Sequence, residues 1–482
     1  MLGFLRPVIY VCGFLVLIMS SMMLGVAGFA WLRADPETLI FLQSAGVAGV
    51  AGGAMVFGCR HAQFNLIARQ LYLLTSLSWV MMSLAGALPL FFSHFDLSLT
   101  DAVFEAVSGI TTTGSTVLAG LQDMPASLLL WRSILQWLGG LGVIGMAVSI
   151  LPFLRVGGMR LFHTESSDWS DKSMPRIQSL ARMLLLTYMG VSLACMLSYW
   201  AAGMSLFDAI NHAMTTVSTG GYATDDRSMG RFGPGILWIA ITFMLIGALP
   251  FTMLIAFVRR PSLAVLKNQQ ALGLLGIVAA VSLSLTAVLI ADRQYAPFEA
   301  LTQATFNLVS VITTTGYAST DYLLWGPFSI ALFFLVMFVG GCSGSTSGGM
   351  KVFRFQLSYL FLRSQVRKLV HPNGVFITQY NGRPVQDDII LSAVAFSFLF
   401  FLTLGVITLL LALLGLDLLT SVSATATALT NVGPGVGNVV GPAGNFASLP
   451  VAAKWLLSFA MLLGRLELLT MMVLFTPMFW RG

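Results

Sequence analysis

Four short segments bring hydroxyl oxygens and glycines into an otherwise apolar chain. They read ITTTG at 110–114, TVSTG at 216–220, VITTTG at 311–316 and LTNVG at 429–433. None contains a charged side chain. Glycine lets the backbone turn a carbonyl aside without a Cβ clash, and threonine adds neutral oxygens. An oxygen-lined site without carboxylates suits a weakly hydrated monovalent cation better than calcium, whose sites favour carboxylates. One such segment alone reads as a polar loop. Four at regular intervals read as parts of one site. A second constellation, FVGGCSGSTSGGMKVFR at 338–354, sets Gly340, Gly341, Gly344, Gly348 and Gly349 among Ser343, Ser345, Thr346 and Ser347. Glycine costs a helix interior about 1 kcal/mol per residue, so this run predicts a broken helix. Close helix packing through small residues is the bland alternative. A third feature is Arg465 inside the apolar run LLGRLELL. A buried intramembrane arginine costs at least about 2.5–3.5 kcal/mol and usually faces a cavity or a partner.

The elements that position these residues follow from composition. Of 482 residues, 57% are hydrophobic and 9% charged, against about 25% charged in a soluble domain. The chain therefore reads as a polytopic membrane protein. The basic residues form no single cluster, which argues against nucleic acid as a partner. Cys12, Cys59, Cys195 and Cys342 show no metal-ligand spacing. The apolar run after Arg6 exceeds a signal-peptide core and reads as a retained first span.

A spanning helix needs about 20 apolar residues. Ten stretches qualify, near 8–32, 37–58, 71–92, 128–152, 181–202, 236–258, 271–291, 326–350, 388–414 and 452–476. Four shorter ones, near 101–113, 207–219, 299–315 and 418–432, each end in a Thr/Gly segment. From residue 71 the order long, short, long recurs four times, a repeat architecture. Gly114, Gly220, Gly316 and Gly433 mark the register, with Glu105, Asn211, Asn307 and Ala424 nine residues earlier. The expected units are 1–70, an extra pair of helices, then repeats at 71–155, 181–260, 271–355 and 386–482.

Lys and Arg set the orientation. Eighteen of the 25 lie on the side away from the short segments, and thirteen of the nineteen acidic residues lie on the other. The short segments are thus expected to dip in from outside, with both termini cytoplasmic. Trp31, Trp131, Trp200, Trp325 and Trp455 fall near the outer span ends, as an interfacial belt would. Irregular backbone at membrane depth must be buried in protein or line water, so the four interruptions should converge on one axis. Helix C-termini pointing inward would stabilise a cation there, and carbonyl rings of this kind replace the hydration shell of potassium.

This pattern of four membrane–pore loop–membrane repeats resembles the Trk/Ktr/HKT superfamily of potassium transporters over residues 71–476. The length and the extra N-terminal helices resemble the bacterial Trk type, the TrkH/TrkG-like membrane subunit. The resemblance implies an all-α membrane fold around one pore, with a selectivity filter at Thr112, Thr113, Gly114, Ser218, Thr219, Gly220, Thr314, Thr315, Gly316, Asn431, Val432 and Gly433. A glycine in all four copies, rather than a serine in the first, implies a preference for potassium over sodium. The fourth copy departs from TTTG and implies a looser ring. The resemblance further implies potassium as substrate with no covalent cofactor, the bacterial inner membrane as location, a homodimer, and a cytoplasmic TrkA-type nucleotide-binding subunit. Loops at 153–182, 259–270 and 351–387 are the available docking surface, and the rest of the surface meets membrane lipid.

Arg465 and the loop Gly344, Ser345, Thr346, Ser347, Gly348 and Gly349 are expected to form a barrier under the filter, with loop carbonyls holding the guanidinium. The family has an intramembrane loop and a basic residue at these places. Glu467, two residues on, would point to roughly the opposite side of the helix. A purely structural arginine is the alternative. His61, His94, His163, His212 and His371 lie apart, and only His212 falls on a short segment, where packing is the more ordinary role. GGLGVIG at 139–145 and GGAM at 52–55 lack the strand–helix context of a nucleotide site, and no catalytic constellation points to an enzyme. A secondary transporter coupling potassium to protons or sodium stays open. It would need a titratable group on the path, with Glu105, His212 and Glu467 the candidates.

Overall fold

Residues 2–60, 67–149, 175–259, 261–262, 267–293, 295–374, 376 and 378–481 are described in the computed structural model of the chain. Two N-terminal spans, α1 (Leu2–Leu32) and α2 (Thr38–Gly58), pack closely on each other. Glycine makes this possible: a Cβ at Gly52 would sit 2.9 Å from the Gly13 carbonyl oxygen.

The rest follows the expected order four times. The first repeat is α3 (Ala68–Phe91), the short α4 (Leu99–Ile110) and α5 (Ala126–Ser149). The second is α6 (Pro175–Ala201), α7 (Leu206–Val217) and a broken pair, α8 (Pro234–Ala248) and α9 (Phe251–Arg259). The third is α10 (Gln269–Arg293), α11 (Pro297–Ile312), α12 (Pro327–Val336), an irregular loop and α13 (Val352–Val370). The fourth is α14 (Asp387–Leu413), α15 (Leu418–Thr430), α16 (Val451–Arg465), α17 (Leu468–Met472) and a terminal α18 (Pro477–Arg481). Between α13 and α14 lies one small hairpin, β1 (Gln379–Tyr380) antiparallel to β2 (Arg383–Pro384).

The short helices α4, α7, α11 and α15 have local stop and start signals. Ser98, Ser205 and Asp417 cap α4, α7 and α15 by accepting from Asp101 N, Asp208 N and Thr420 N at 3.1, 3.0 and 3.0 Å. Pro297 opens α11, where its missing N–H is no loss. Twelve residues make α4 about 18 Å long, well short of the hydrocarbon thickness. Each short helix therefore ends at membrane depth. The second span of one repeat lies against the short helix of another: α5 on α7, α8 on α11, and α16 back on α4. That last contact closes the circle of repeats.

Seven helices among the described residues are long and apolar enough to cross a membrane, or nine if each bent pair is one span. The expected ten differ at three places. The span expected at 326–350 is helical only to Val336, then irregular through the glycine run. The span at 236–258 bends by 99° between α8 and α9, where Pro250 interrupts it. The span at 452–476 bends by 113° after Arg465. The tryptophan belt is also partial. Trp31, Trp200 and Trp455 are exposed, but Trp131 and Trp325 are buried, and Trp131 Nε1 donates to Gly86 O at 2.9 Å. His61, His163 and the loop stretch 153–174 lie outside the described residues.

Candidate functional site

The ends of α4, α7, α11 and α15 share one backbone geometry. The residue two after each helix, or one after α15, takes a left-handed conformation: Thr112 (φ 53°), Thr219 (φ 52°), Thr314 (φ 58°) and Asn431 (φ 56°). For β-branched threonine this is an outlier that costs about 1–3 kcal/mol and marks functional sites. The following N–H groups of Thr113, Gly220, Thr315 and Val432 donate back to Ser108, Thr215, Ser310 and Thr427 carbonyls at 2.8–3.2 Å. Next comes a glycine at positive φ: Gly114 (83°), Gly221 (79°), Gly316 (83°) and Gly433 (96°).

This corrects the register of the second repeat. Its equivalent triplet is Thr219, Gly220 and Gly221, one residue beyond Ser218, Thr219 and Gly220. Ser218 corresponds to Thr111 and Thr313, the residues that directly follow their helices. The position of Glu105 and Asn307 is then held by His212, not Asn211.

These glycines join the four loops. A Cβ on Gly114 would collide with the Gly220 carbonyl, one on Gly221 with Thr315 O, and one on Gly316 with Val432 O. One on Gly433 would fall 2.8 Å from Thr113 O. Each left-handed glycine thus seats on the preceding ring residue of the next repeat, and the fourth returns to the first. All twelve residues of these triplets are buried except Gly114, Gly221 and Gly316, which are partly exposed. Above the ring lies a cavity of about 90 Å³ that reaches Gly114, Gly221, Gly316 and Gly433, with Asp225 and Asp226 on its wall. Asp226 also ties the outer loops, accepting from Gly120 N at 2.7 Å and Leu121 N at 3.0 Å.

Behind the ring stands a buried ion pair. Arg132 Nε donates to Glu105 Oε1 at 2.8 Å, and both side chains are inaccessible. Glu105 also accepts from Thr116 Oγ1 and from Val117 N. The Arg132 guanidinium lies 4.0 Å from the Tyr222 ring centroid and donates to Ala223 O. Asn307 plays the same part in the third repeat, accepting from Ser319 N at 3.1 Å. His212 packs edge-on to Phe232, with Nδ1 2.9 Å from Asp208 O. Within 139–145, Gly139 and Gly140 are packing positions: a Cβ on Gly139 would strike Ile110 O at the end of α4, and one on Gly140 would meet Ser218.

Below the ring, the loop 337–351 is built into the break in α8. Cys342 N and Thr346 N donate to the Ala248 and Gly247 carbonyls at 2.9 and 3.2 Å, and Phe251 N donates to Gly344 O at 3.0 Å. The same loop reaches up to the ring. Gly348 N donates to Thr314 Oγ1 at 2.7 Å, Gly349 N to Thr430 O at 2.8 Å, and Thr346 Oγ1 lies 3.3 Å from Thr219 Oγ1. Three of the four loops therefore touch it. In the first repeat the Thr112 hydroxyl has no partner among the described residues.

Contrary to the expectation from the sequence, the loop carbonyls do not hold Arg465. Lys351 holds them, donating from Nζ to Ser347 O at 2.7 Å and to Cys342 O at 3.4 Å. Arg465 ends α16, and none of its guanidinium nitrogens has a hydrogen-bond partner among the described residues. It faces a cavity of about 20 Å³, shared with Gly344, Ser347, Gly348, Gly349 and Lys351. Glu467 is not on the far side of a continuous helix, because the chain turns there with φ 57°. It forms a buried ion pair with Arg354 of α13.

The TrkH family, described as cation transport protein, matches residues 40–481. The chain is 52% identical to the Trk system potassium uptake protein TrkI of Halomonas elongata, over 93% of this chain and 92% of that protein. It is 36% identical to the Trk system potassium uptake protein TrkH of Escherichia coli K12, with 99% of each covered. The crystal structure of the potassium transporter TrkH from Vibrio parahaemolyticus superposes with a TM-score of 0.91 at 35% identity, covering 99% of each chain. With its four loops closed into one ring, the chain belongs to the TrkH family of cation transport proteins.

Proposed function

We propose that this protein takes up potassium through the ring, with Thr112–Gly114, Thr219–Gly221, Thr314–Gly316 and Asn431–Gly433 as its selectivity filter. The single observation carrying this reading is the cyclic seating of four left-handed glycines on neighbouring carbonyls. Four helix C-termini supply partial negative charge at one point, and neutral backbone oxygens replace the hydration shell of the ion. The relatives named above are potassium uptake proteins, which supports potassium as the ion.

The loop 337–351 acts as the gate beneath the filter. Lys351 latches it, and Arg465, whose guanidinium has no hydrogen-bond partner among the described residues, adds positive charge to the cation path. The acidic wall of the outer cavity concentrates cations at the entrance, an effect screened by salt. The filter faces outward across the bacterial inner membrane, and both termini are cytoplasmic. The membrane subunit works as a homodimer under a cytoplasmic nucleotide-binding TrkA-type partner, which docks on the basic loops.

Glu105 and Glu467 are each engaged by an arginine, and the His212 ring is packed among aromatics. A simple pore therefore fits better than proton coupling. Potassium flux in proteoliposomes, with and without a proton gradient, tests this. Flux that persists without proton movement, and a K:Na ratio lowered by Gly316→Ser, are expected. Strict proton stoichiometry overturns the pore reading.

A further inference from the structure

We infer that Gln136 of α5 is a positioning residue for ion selection, supplying across a repeat boundary the polar group that two other loops supply for themselves. This rests on the filter reading above.

The ring residues are Thr113, Gly220, Thr315 and Val432. In the first loop the Thr113 hydroxyl lies 2.7 Å from that of Thr111, which donates to Val107 O at 2.7 Å. The third loop repeats this, with Thr315 to Thr313 at 2.8 Å and Thr313 to Val309 O at 2.6 Å. A chain of two hydroxyls thus ties the ring residue to its own helix end. In the second loop the ring residue is glycine, so no such chain can form. Ser218, in the place of Thr111, turns its hydroxyl to Thr215 O at 3.3 Å. Glycine also has the freest backbone, so the Gly220 carbonyl would be the least restrained of the four.

Gln136 fills the vacant place. Its Nε2 donates to Gly220 O at 2.6 Å, and its Oε1 accepts from Tyr222 N at 3.0 Å. Reversing the amide would set donor against donor and acceptor against acceptor, so this network fixes its orientation. Gln136 is fully buried. It lies one turn beyond Arg132, which bonds to Ala223 O in the same loop. A Cβ on Gly220 would fall 2.8 Å from Gln136 Nε2 and closer still to the amide carbon. Glycine at 220 and glutamine at 136 therefore require each other: a threonine like those at 113 and 315 has no room while Gln136 is present.

The consequence is specific to ion choice. One ring carbonyl is held by a donor from another helix, so its distance to the ion is set by α5. Losing that restraint lets the ring contract around a smaller ion.

The test measures K:Na ratios in proteoliposomes. Gln136→Leu keeps the volume and removes both bonds. A fall of about five-fold in the ratio is expected, the scale of one net hydrogen bond. The double variant Gln136→Ala/Gly220→Thr opens the space and gives the second loop the hydroxyl of loops one and three. It should recover most of the ratio, whereas Gly220→Thr alone should lose transport. A folded Gln136→Leu protein with an unchanged ratio overturns the inference. If Gln136→Leu does not fold, the double variant decides. An unselective or unfolded double variant makes the contact merely structural and overturns the inference as well. Gly316→Ser separates the two readings. If it leaves the ratio unchanged, the filter reading itself fails. If it lowers the ratio while Gln136→Leu does not, only the role of Gln136 fails.

Discussion

Lys351→Met asks whether the loop below the ring is a latched gate. The Lys351 ammonium donates at 2.7 Å to Ser347 O and at 3.4 Å to Cys342 O. A hydrogen bond with a charged partner contributes about 1.5–3 kcal/mol, and the longer contact adds little. A loss of about 2 kcal/mol corresponds to about a thirty-fold shift towards the open loop, at about 1.4 kcal/mol per factor of ten. The neighbouring cavity of about 20 Å³ has room for roughly one water, which can take over a freed carbonyl. That sets a lower bound near ten-fold by water bridging. Potassium flux in vesicles without any regulatory partner should therefore rise about ten- to thirty-fold. Lys351→Arg separates latch from charge. It keeps the charge but cannot place a compact ammonium between two carbonyls, so its flux should also rise. Unchanged flux in a folded Lys351→Met protein would refute the latch.

Three further outcomes follow from the same geometry. Arg465→Ala should raise flux with little change in the thermal midpoint, because its guanidinium makes no hydrogen bond among the described residues that its removal would forfeit; a clearly lower midpoint with unchanged flux would mark it as structural. Glu105→Gln leaves Arg132 buried without its counter-charge, so it should cost up to about 3–5 kcal/mol of stability in detergent unfolding, and adding Arg132→Met should restore much of it. Burial raises the Asp225 carboxyl, but hydrogen bonds and charge from Arg227, with charge from Arg231, outweigh it and hold the group below its ordinary value of 3.8. Its stabilising contribution is present above that ordinary value and is lost only as pH falls through the lower folded one. Rubidium uptake should thus show no step from Asp225 between about pH 8 and about pH 5.

Much of the ring was legible because its signals are local. Hydroxyl and glycine types recur at one period, and each lies between a short and a long apolar run. The register of the second loop was not legible. Gly220 and Gly221 are adjacent and identical in type, and only φ tells which one seats on Thr315 O. The ion pairs were hidden for another reason. Glu105 and Arg132 are 27 residues apart, and Arg354 and Glu467 are 113 apart, so only the fold joins them. The bend at Pro250 had a visible sign, since proline inside a helix removes a hydrogen bond and clashes with the preceding turn.

The three interrupted spans are best understood as one object. A loop at membrane depth must find a partner for every peptide group, and the run 337–351 carries many. The break in α8 frees the Gly247 and Ala248 carbonyls for loop N–H groups, and the start of α9 takes the Gly344 carbonyl. The break after Arg465 frees Glu467 to meet Arg354, the residue that anchors the first turn of α13 where the loop ends. Straightening either helix would strand polar groups of the loop, and withdrawing the loop would strand those of α8. Any movement of the loop therefore has to carry the ends of α8 and α16 with it. A loop built this way is coupled to two neighbouring repeats, and so to any force applied at the helix ends below the ring.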